Sequence, residues 1–132
     1  MDEPLRANDG RSNHTGLPAI QPHQLSVPAF TEEDVRTFIT EHPLPGGSIR
    51  SVGQPTITKI LFMTTGEAST LIHSFISRRN HDLVCYVELK GYFTFHGGPP
   101  GSVNTTAASQ EQVFEVFDAQ TGDCLVVGFV TR

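Results

Sequence analysis

The amino-acid sequence predicts an α+β domain, in which an antiparallel sheet of about four strands carries two helices packed on one face. Two segments begin with a hydroxyl residue followed by acids, which is typical of helix starts, and later segments alternate apolar with polar residues, which is typical of strands. Residues 1–29 contain four prolines and no aromatic residue, whereas all eleven aromatic residues lie from Phe30 onward. A length of 132 residues fits one domain. We therefore divide the chain into an extended Pro-rich N-terminal arm, residues 1–29, and a single domain, residues 30–132.

The arm is expected to form neither a helix nor a central strand, because proline fixes φ and has no backbone N–H to donate. Alone in water it would bury too little apolar surface to offset its ordering entropy. We expect it to dock on a neighbouring subunit or on a partner protein, as an extended peptide that adds to a sheet edge or fills a groove. The apolar side chains available as anchors are Leu17, Ile20, Leu25 and Val27.

Two helices are predicted within the domain. The first covers residues 31–42, because a threonine precedes three acids and Pro43 ends the segment. The second covers residues 65–79, since Thr64 and Glu67 have the spacing of a capping box and apolar residues follow at helical spacing.

The strands are predicted from β-branched and aromatic residues and from period-two alternation. In the longest, Leu83, Cys85 and Val87 begin the apolar parity, and the polar residues occupy the other. Residues 118–123 contain Asp and Gly, which favour a hairpin turn, and residues 97–110 are predicted to be a loop. The predicted strands are 49–53, 56–63, 83–96, 112–117 and 124–131.

The hairpin segment 113–125, with its apolar strand, Asp118, Thr121-Gly122 turn and second apolar strand, resembles the strand–turn–strand of PepSY-type domains. The acid-capped helix at 31–42 is similar to the helix that begins those domains. This resemblance implies a non-catalytic module associated with peptidase propeptides or regulation. The β-α-β-β-β order also resembles nuclear-transport-factor-2-like cones, which implies a small-molecule pocket.

The residues predict no catalytic group, no metal site and no cofactor. The six histidines lack metal-ligand spacing, and neither of the two cysteines has a base beside it in the sequence. One alternative stays open: Glu88, Tyr92 and His96 share the polar parity of the longest strand and could line a pocket. The other interpretation is that this parity faces water.

The charge and hydropathy pattern reduces the classes of partner that we expect. With a formal net charge of −5 and no basic run longer than Arg78-Arg79, we expect no nucleic-acid partner. No apolar run approaches the roughly 18 residues of a membrane span. Because no signal peptide is visible, the cytoplasm is favoured, with export left open.

The leading functional prediction is a non-catalytic interaction or self-assembly protein, a subunit of a homo-oligomer or filament, that docks its arm on itself or on another protein. The two alternatives are a small-molecule-binding or enzymatic cone with a pocket near Glu88, and a peptidase-regulating PepSY-like module. An enzyme is the less favoured interpretation.

Overall fold

The computed structural model describes residues 19–44, 49–95 and 109–130. Leu17, His96 and most of the predicted loop at 97–110 lie outside the described residues. The described helices and strands are α1 (Glu32–Glu41), β1 (Ile49–Thr64), α2 (Thr65–Ile72), β2 (Leu83–Phe95), β3 (Ser109–Asp118) and β4 (Cys124–Phe129). The four strands form one antiparallel sheet in the order β1-β2-β3-β4, so each strand pairs with the next along the chain. The predicted α+β class with an antiparallel sheet is confirmed.

Both helices begin where the capping patterns place them. At α1 the Asp34 backbone N–H donates to the Thr31 hydroxyl at 3.2 Å, and the Thr31 N–H donates to the Asp34 carboxylate at 2.8 Å. Thr64 and Glu67 form the same reciprocal capping box at α2. These bonds satisfy N–H groups that a helix start leaves without partners.

The second helix is shorter than the sequence predicts. His73 adopts a left-handed backbone conformation with φ of 56° and ends α2 at Ile72 instead of at residue 79. The chain then turns so that Ile76 is buried while Phe75 is largely exposed. The apolar spacing used for the prediction therefore includes a side chain that faces water. Neither described helix is long and apolar enough to cross a membrane.

Strand β1 is continuous where two strands were expected. Its pairing with β2 shifts register between Val52 and Thr56 and again between Ile57 and Lys59. Gly53, with φ of +84°, supplies the unusual backbone conformation at the first irregularity. The two predicted segments are thus parts of one irregular edge strand.

The two helices divide between the faces of the sheet, whereas the sequence suggested that they share one face. Side chains from α1, such as Val35 and Ile39, pack in one cluster with Cys85 and Val87 of β2. Ala68 of α2 packs in a second cluster, which contains Val84 and Tyr86 of the same strand. Because successive strand residues point to opposite faces, the sheet has an α1 face and an α2 face.

The described part of the arm packs on the same chain. The Ile20 N–H donates to the Gly122 carbonyl at 3.1 Å, and the Ala29 N–H donates to the Ala119 carbonyl at 2.8 Å. Ile20 is only 2% exposed and belongs to the cluster beneath α1. The packed body therefore includes Ile20 and Ala29, which precede Phe30.

Replacement of Gly122 tests this attachment. In Gly122→Ala the new Cβ would lie 1.8 Å from the Ile20 carbonyl oxygen, at a residue whose φ is +80°. Gly53→Ala is the matched control, since its φ is +84° and nothing lies within 4 Å of the added Cβ. We expect the control to lose about 1–2 kcal/mol of unfolding free energy from backbone strain. Gly122→Ala should lose more, and should also expose the arm to proteolysis between residues 19 and 29. Equal losses in urea unfolding with unchanged proteolysis would contradict the packing described above.

Candidate functional site

A closed loop in the arm carries the most exposed of its predicted anchors. We call residues 23–29 the arm loop. Its ends meet through the His23 N–H, which donates to the Ala29 carbonyl at 3.0 Å, and the Gln24 side-chain amide donates to the Pro28 carbonyl at 2.7 Å. Between these bonds, Leu25 is 74% exposed and Val27 is 42% exposed. The loop thus has a defined conformation that presents apolar side chains to solvent.

A hydrogen bond between side chains attaches this loop to the start of α1. His23 Nε2 lies 2.5 Å from Asp34 Oδ2, and the same oxygen accepts bonds from the Thr31 N–H and hydroxyl. The backbone hydrogen bond from Thr31 is the largest cause that lowers the pKa of Asp34, followed by the hydrogen bond with His23. Asp34 therefore remains ionised at neutral pH, in the first helical turn where the helix dipole favours an anion.

The turn between β3 and β4, residues 118–123, binds the arm through backbone hydrogen bonds from Ile20 and Ala29. Asp118 Oδ1 accepts hydrogen bonds from the Gln120 and Thr121 N–H groups at 2.7 and 3.0 Å. Asp118 Oδ2 accepts a bond from Arg78 Nε at 2.5 Å, with both side chains largely buried. This rigid turn holds the carbonyls that bind the arm, so its Asp and Gly have structural roles.

The predicted arm anchors have different positions. Ile20 is buried in the chain's own core, while Leu25 and Val27 face outward from the arm loop. Leu17 lies outside the described residues. The structure thus separates an internal anchor from two side chains that are free to contact another molecule.

The residues of the predicted pocket are only partly brought together. Glu88 is buried on the α2 face, where the Tyr86 hydroxyl donates to its Oε2 at 2.6 Å and Lys59 Nζ lies 3.8 Å away. Tyr92 is 53% exposed on the same face, and His96 is not among the described residues. Glu88 therefore interacts with neighbours in the sheet, and Tyr92 lies about 13 Å farther along β2 at the usual rise per residue.

The pairing of β1 with β2 also places two cations, Arg50 and Lys90, on the same face of the sheet, which the sequence alone did not predict. Strand pairing aligns Arg50 with Thr94, Val52 with Tyr92, and Thr56 with Lys90. Lys90 and Tyr92 point to the α2 face, because Glu88 and Tyr86 of the same strand do. The cations Arg50 and Lys90 lie far apart in the sequence, so only the register of β1 against β2 could have shown that they share this face, about 13 Å apart along the strands.

The cysteines are unsuited to nucleophilic catalysis. Burial raises the pKa of the Cys85 thiol to about 12 and is also the main cause that raises the pKa of Cys124. Both are free, and both pair with Phe117 from opposite sides, so one strand separates them. Among the described residues, no three His, Cys, Asp or Glu side chains are grouped so that they could hold a metal ion.

Comparison of the chain with protein-family models, curated proteins and solved structures finds no match in any of the three. The resemblances to PepSY-type domains and to nuclear-transport-factor-2-like cones remain predictions. The function therefore has to be inferred from the described residues.

A buried carboxylate that the sequence did not single out lies on the α1 face. Glu115 of β3 pairs with Val87 on one side and Val127 on the other, and among the described residues neither of its carboxyl oxygens has a hydrogen-bond partner. Burial raises its pKa well above the ordinary value of 4.5. In the sequence, the burial of Glu115 is indicated only by its alternation with Val113 and Phe117, which places all three residues on one face of the strand.

Glu115 predicts a specific pH dependence of stability. Between pH 4.5 and the higher pKa of the folded protein, the folded state binds the Glu115 proton while the unfolded state has lost it. The free energy of unfolding should therefore fall as the pH rises, by up to about 1.4 kcal/mol per pH unit. Glu115→Gln should remove this decline, and urea unfolding at several pH values measures it. Glu33→Gln, at an exposed position, is the control. A Glu115→Gln profile parallel to the wild-type profile would overturn this expectation.

Proposed function

We propose that this chain is a non-catalytic interaction protein that associates with copies of itself through the arm loop. The observation that carries the proposal is the exposure of Leu25 and Val27 in a loop closed by hydrogen bonds. A loop already held in one conformation loses little entropy on binding, so its apolar side chains can contribute to affinity.

The two segments proposed to make the contact are uncharged, which allows a second copy to be the partner despite the net charge of the chain. A net charge of −5 opposes self-association, since identical molecules repel one another. The segment 24–29 and strand β4 contain no charged residue, so a contact between them avoids placing like charges together.

The receiving surface is the outer edge of β4. Within the described ranges no strand pairs with that edge, because β4 is last in the sheet order. Its sequence, Cys-Leu-Val-Val-Gly-Phe, lacks the lysine or proline with which proteins commonly protect an edge strand. Leu25 and Val27 project from the closed arm loop, so they would pack against the apolar side chains of this edge strand without the loop opening. Pro22 and Pro28 flank these residues and remove two backbone donors, so side chains would make most of the contact.

Replacing the two exposed side chains tests the proposal. We expect the full-length chain to form oligomers, and Leu25→Ser/Val27→Ser to weaken their association at least about tenfold. Each fully buried apolar side chain contributes about 1.5–3 kcal/mol, and 1.4 kcal/mol corresponds to a factor of ten. Light scattering on a sizing column, over a range of protein concentrations, measures the mass.

Leu71→Ser is the matched control for this experiment, since Leu71 is a similarly exposed apolar residue on α2. Its association should equal that of the wild type. An unchanged oligomer in the arm-loop variant, or a wild-type chain that is monomeric at every concentration, would exclude self-association through the arm loop.

A further inference from the structure

Within the part of the chain that the structure describes, the α2 face of the sheet is covered at one end only. Ala68 and Ile76 pack near Val84, where β2 begins. Farther along β2, Lys90 and Tyr92 are exposed. The exposed residues of this part, which we call the open face, are Arg50, Val52, Lys90, Tyr92 and Gln110.

The described residues of the open face include two cations and no acid. Lys59, at its border, lies 3.8 Å from Glu88. Arg50 and Lys90 form no ion pair with any other described residue. Lys90 also borders an open groove of about 430 Å³, whose other lining residues are Gln110, Glu111, Gln112 and Val130. Arg50 and Lys90 therefore lie on either side of Tyr92 without a described ion-pair partner, and the acid Glu111 lines the groove beside Lys90.

The outward surface of α1 has the opposite character. Arg36 pairs with Glu32 at 2.9 Å, which leaves Glu33 and Glu41 exposed and without an ion-pair partner among the described residues. Glu33, Thr37, Thr40 and Glu41 are exposed on the side of the helix away from the sheet, and we call them the acidic surface. Glu41 also borders a groove of about 440 Å³ between α1 and arm residues 19–21, which has room for a long cationic side chain.

We infer that the acidic surface of one copy docks on the open face of another copy. This inference rests on the proposed self-association and adds to it a second, ionic contact. The two surfaces carry opposite charges, with Arg50 and Lys90 on the open face and Glu33 and Glu41 on the acidic surface. Arg50 and Lys90 of one molecule would face Glu33 and Glu41 of the next.

The geometry also gives the form of the assembly. The acidic surface lies outside α1, which covers the α1 face, whereas the open face belongs to the α2 face. Because the complementary surfaces lie on opposite sides of the sheet, each bound copy leaves one surface available for another. A head-to-tail contact of this kind extends into a linear stack unless its rotation closes a ring.

The ionic contact should be weak and sensitive to salt. Ion pairs between exposed side chains contribute little individually, and salt screens them. The contact therefore acts together with the arm loop, and its contribution is best isolated where the arm loop has been disabled.

Reversing the charges of each surface separately provides the test. One variant carries Arg50→Glu and Lys90→Glu, and the other carries Glu33→Lys and Glu41→Lys, both in a Leu25→Ser/Val27→Ser background. Each alone presents like charges on both surfaces and should be monomeric. An equimolar mixture restores every attraction, so we expect at least about tenfold tighter association in about 10 mM salt, where the screening length is about 30 Å. In about 1 M salt the mixture should separate, because the screening length falls to about 3 Å.

The controls separate this inference from the proposed function. Arg79→Glu changes the net charge away from both surfaces and should leave association unchanged, while circular dichroism verifies that every variant is folded. If both reversed variants with an intact arm loop associate as the wild type does, the ionic contact is excluded and arm-loop association stands. A mixture that stays monomeric at low salt also excludes it. If the mixture associates while the arm-loop substitutions leave wild-type association unchanged, the ionic contact stands and the arm-loop proposal fails.

Discussion

The contact between Arg78 and Asp118 holds together parts of the chain that are distant in the sequence. Asp118 ends β3, and its carboxylate binds both the Arg78 guanidinium and the N–H groups of its own turn. The Ala119 N–H donates to the Leu83 carbonyl at the start of β2. Burial of an ionised carboxylate is tolerated only where its charge and its hydrogen-bonding capacity are both compensated, and loss of one partner of a buried ion pair typically costs about 3–5 kcal/mol. The turn is therefore a fixed platform beside the sheet.

The position of the arm follows from that platform. Ile20 and Ala29 donate to carbonyls of the turn, and His23 pairs with Asp34 at the start of α1. Because the arm is attached at both ends, the side chains between the attachment points have little freedom to reach the core. The residues near Leu25 therefore project from the surface. The arm is consequently an extension of the body as far as the described residues go, and its exposed apolar side chains are presented by a rigid support. Such preorganisation favours binding because less conformational entropy is lost.

The parts of the fold that the sequence predicts are those determined by neighbouring residues. The Thr31 cap, the Thr64 cap and the alternation of β2 depend on spacings of two to four residues, and the structure confirms them. The turn at 118–123 also follows from local chemistry, because Asp118 and Gly122 have the properties that it requires.

Features that depend on tertiary packing could not be predicted from local sequence patterns. Ile20 and Leu25 are chemically similar, and only the position of the turn determines that one is buried and the other exposed. The alternation placed Glu115 with Val113 and Phe117, but nothing in it showed that both faces of β3 are covered. Arg50 and Lys90 come to share one face, about 13 Å apart along the strands, through strand pairing alone.

The open face is a geometric consequence of where α2 ends. An eight-residue helix is about 12 Å long, whereas the 13 residues of β2 extend for about 43 Å. Even with Ile76 packed beyond the helix, the described residues leave a large part of the α2 face uncovered. If this face contacted only water, polar residues of mixed charge would be equally suitable there. The open face instead has two cations without described ion-pair partners beside an exposed tyrosine, and two exposed acids without such partners, Glu33 and Glu41, lie on α1, across the sheet. That separation of charge, in a molecule whose net charge would otherwise repel its copies, is what makes a second copy the best-matched occupant of the open face.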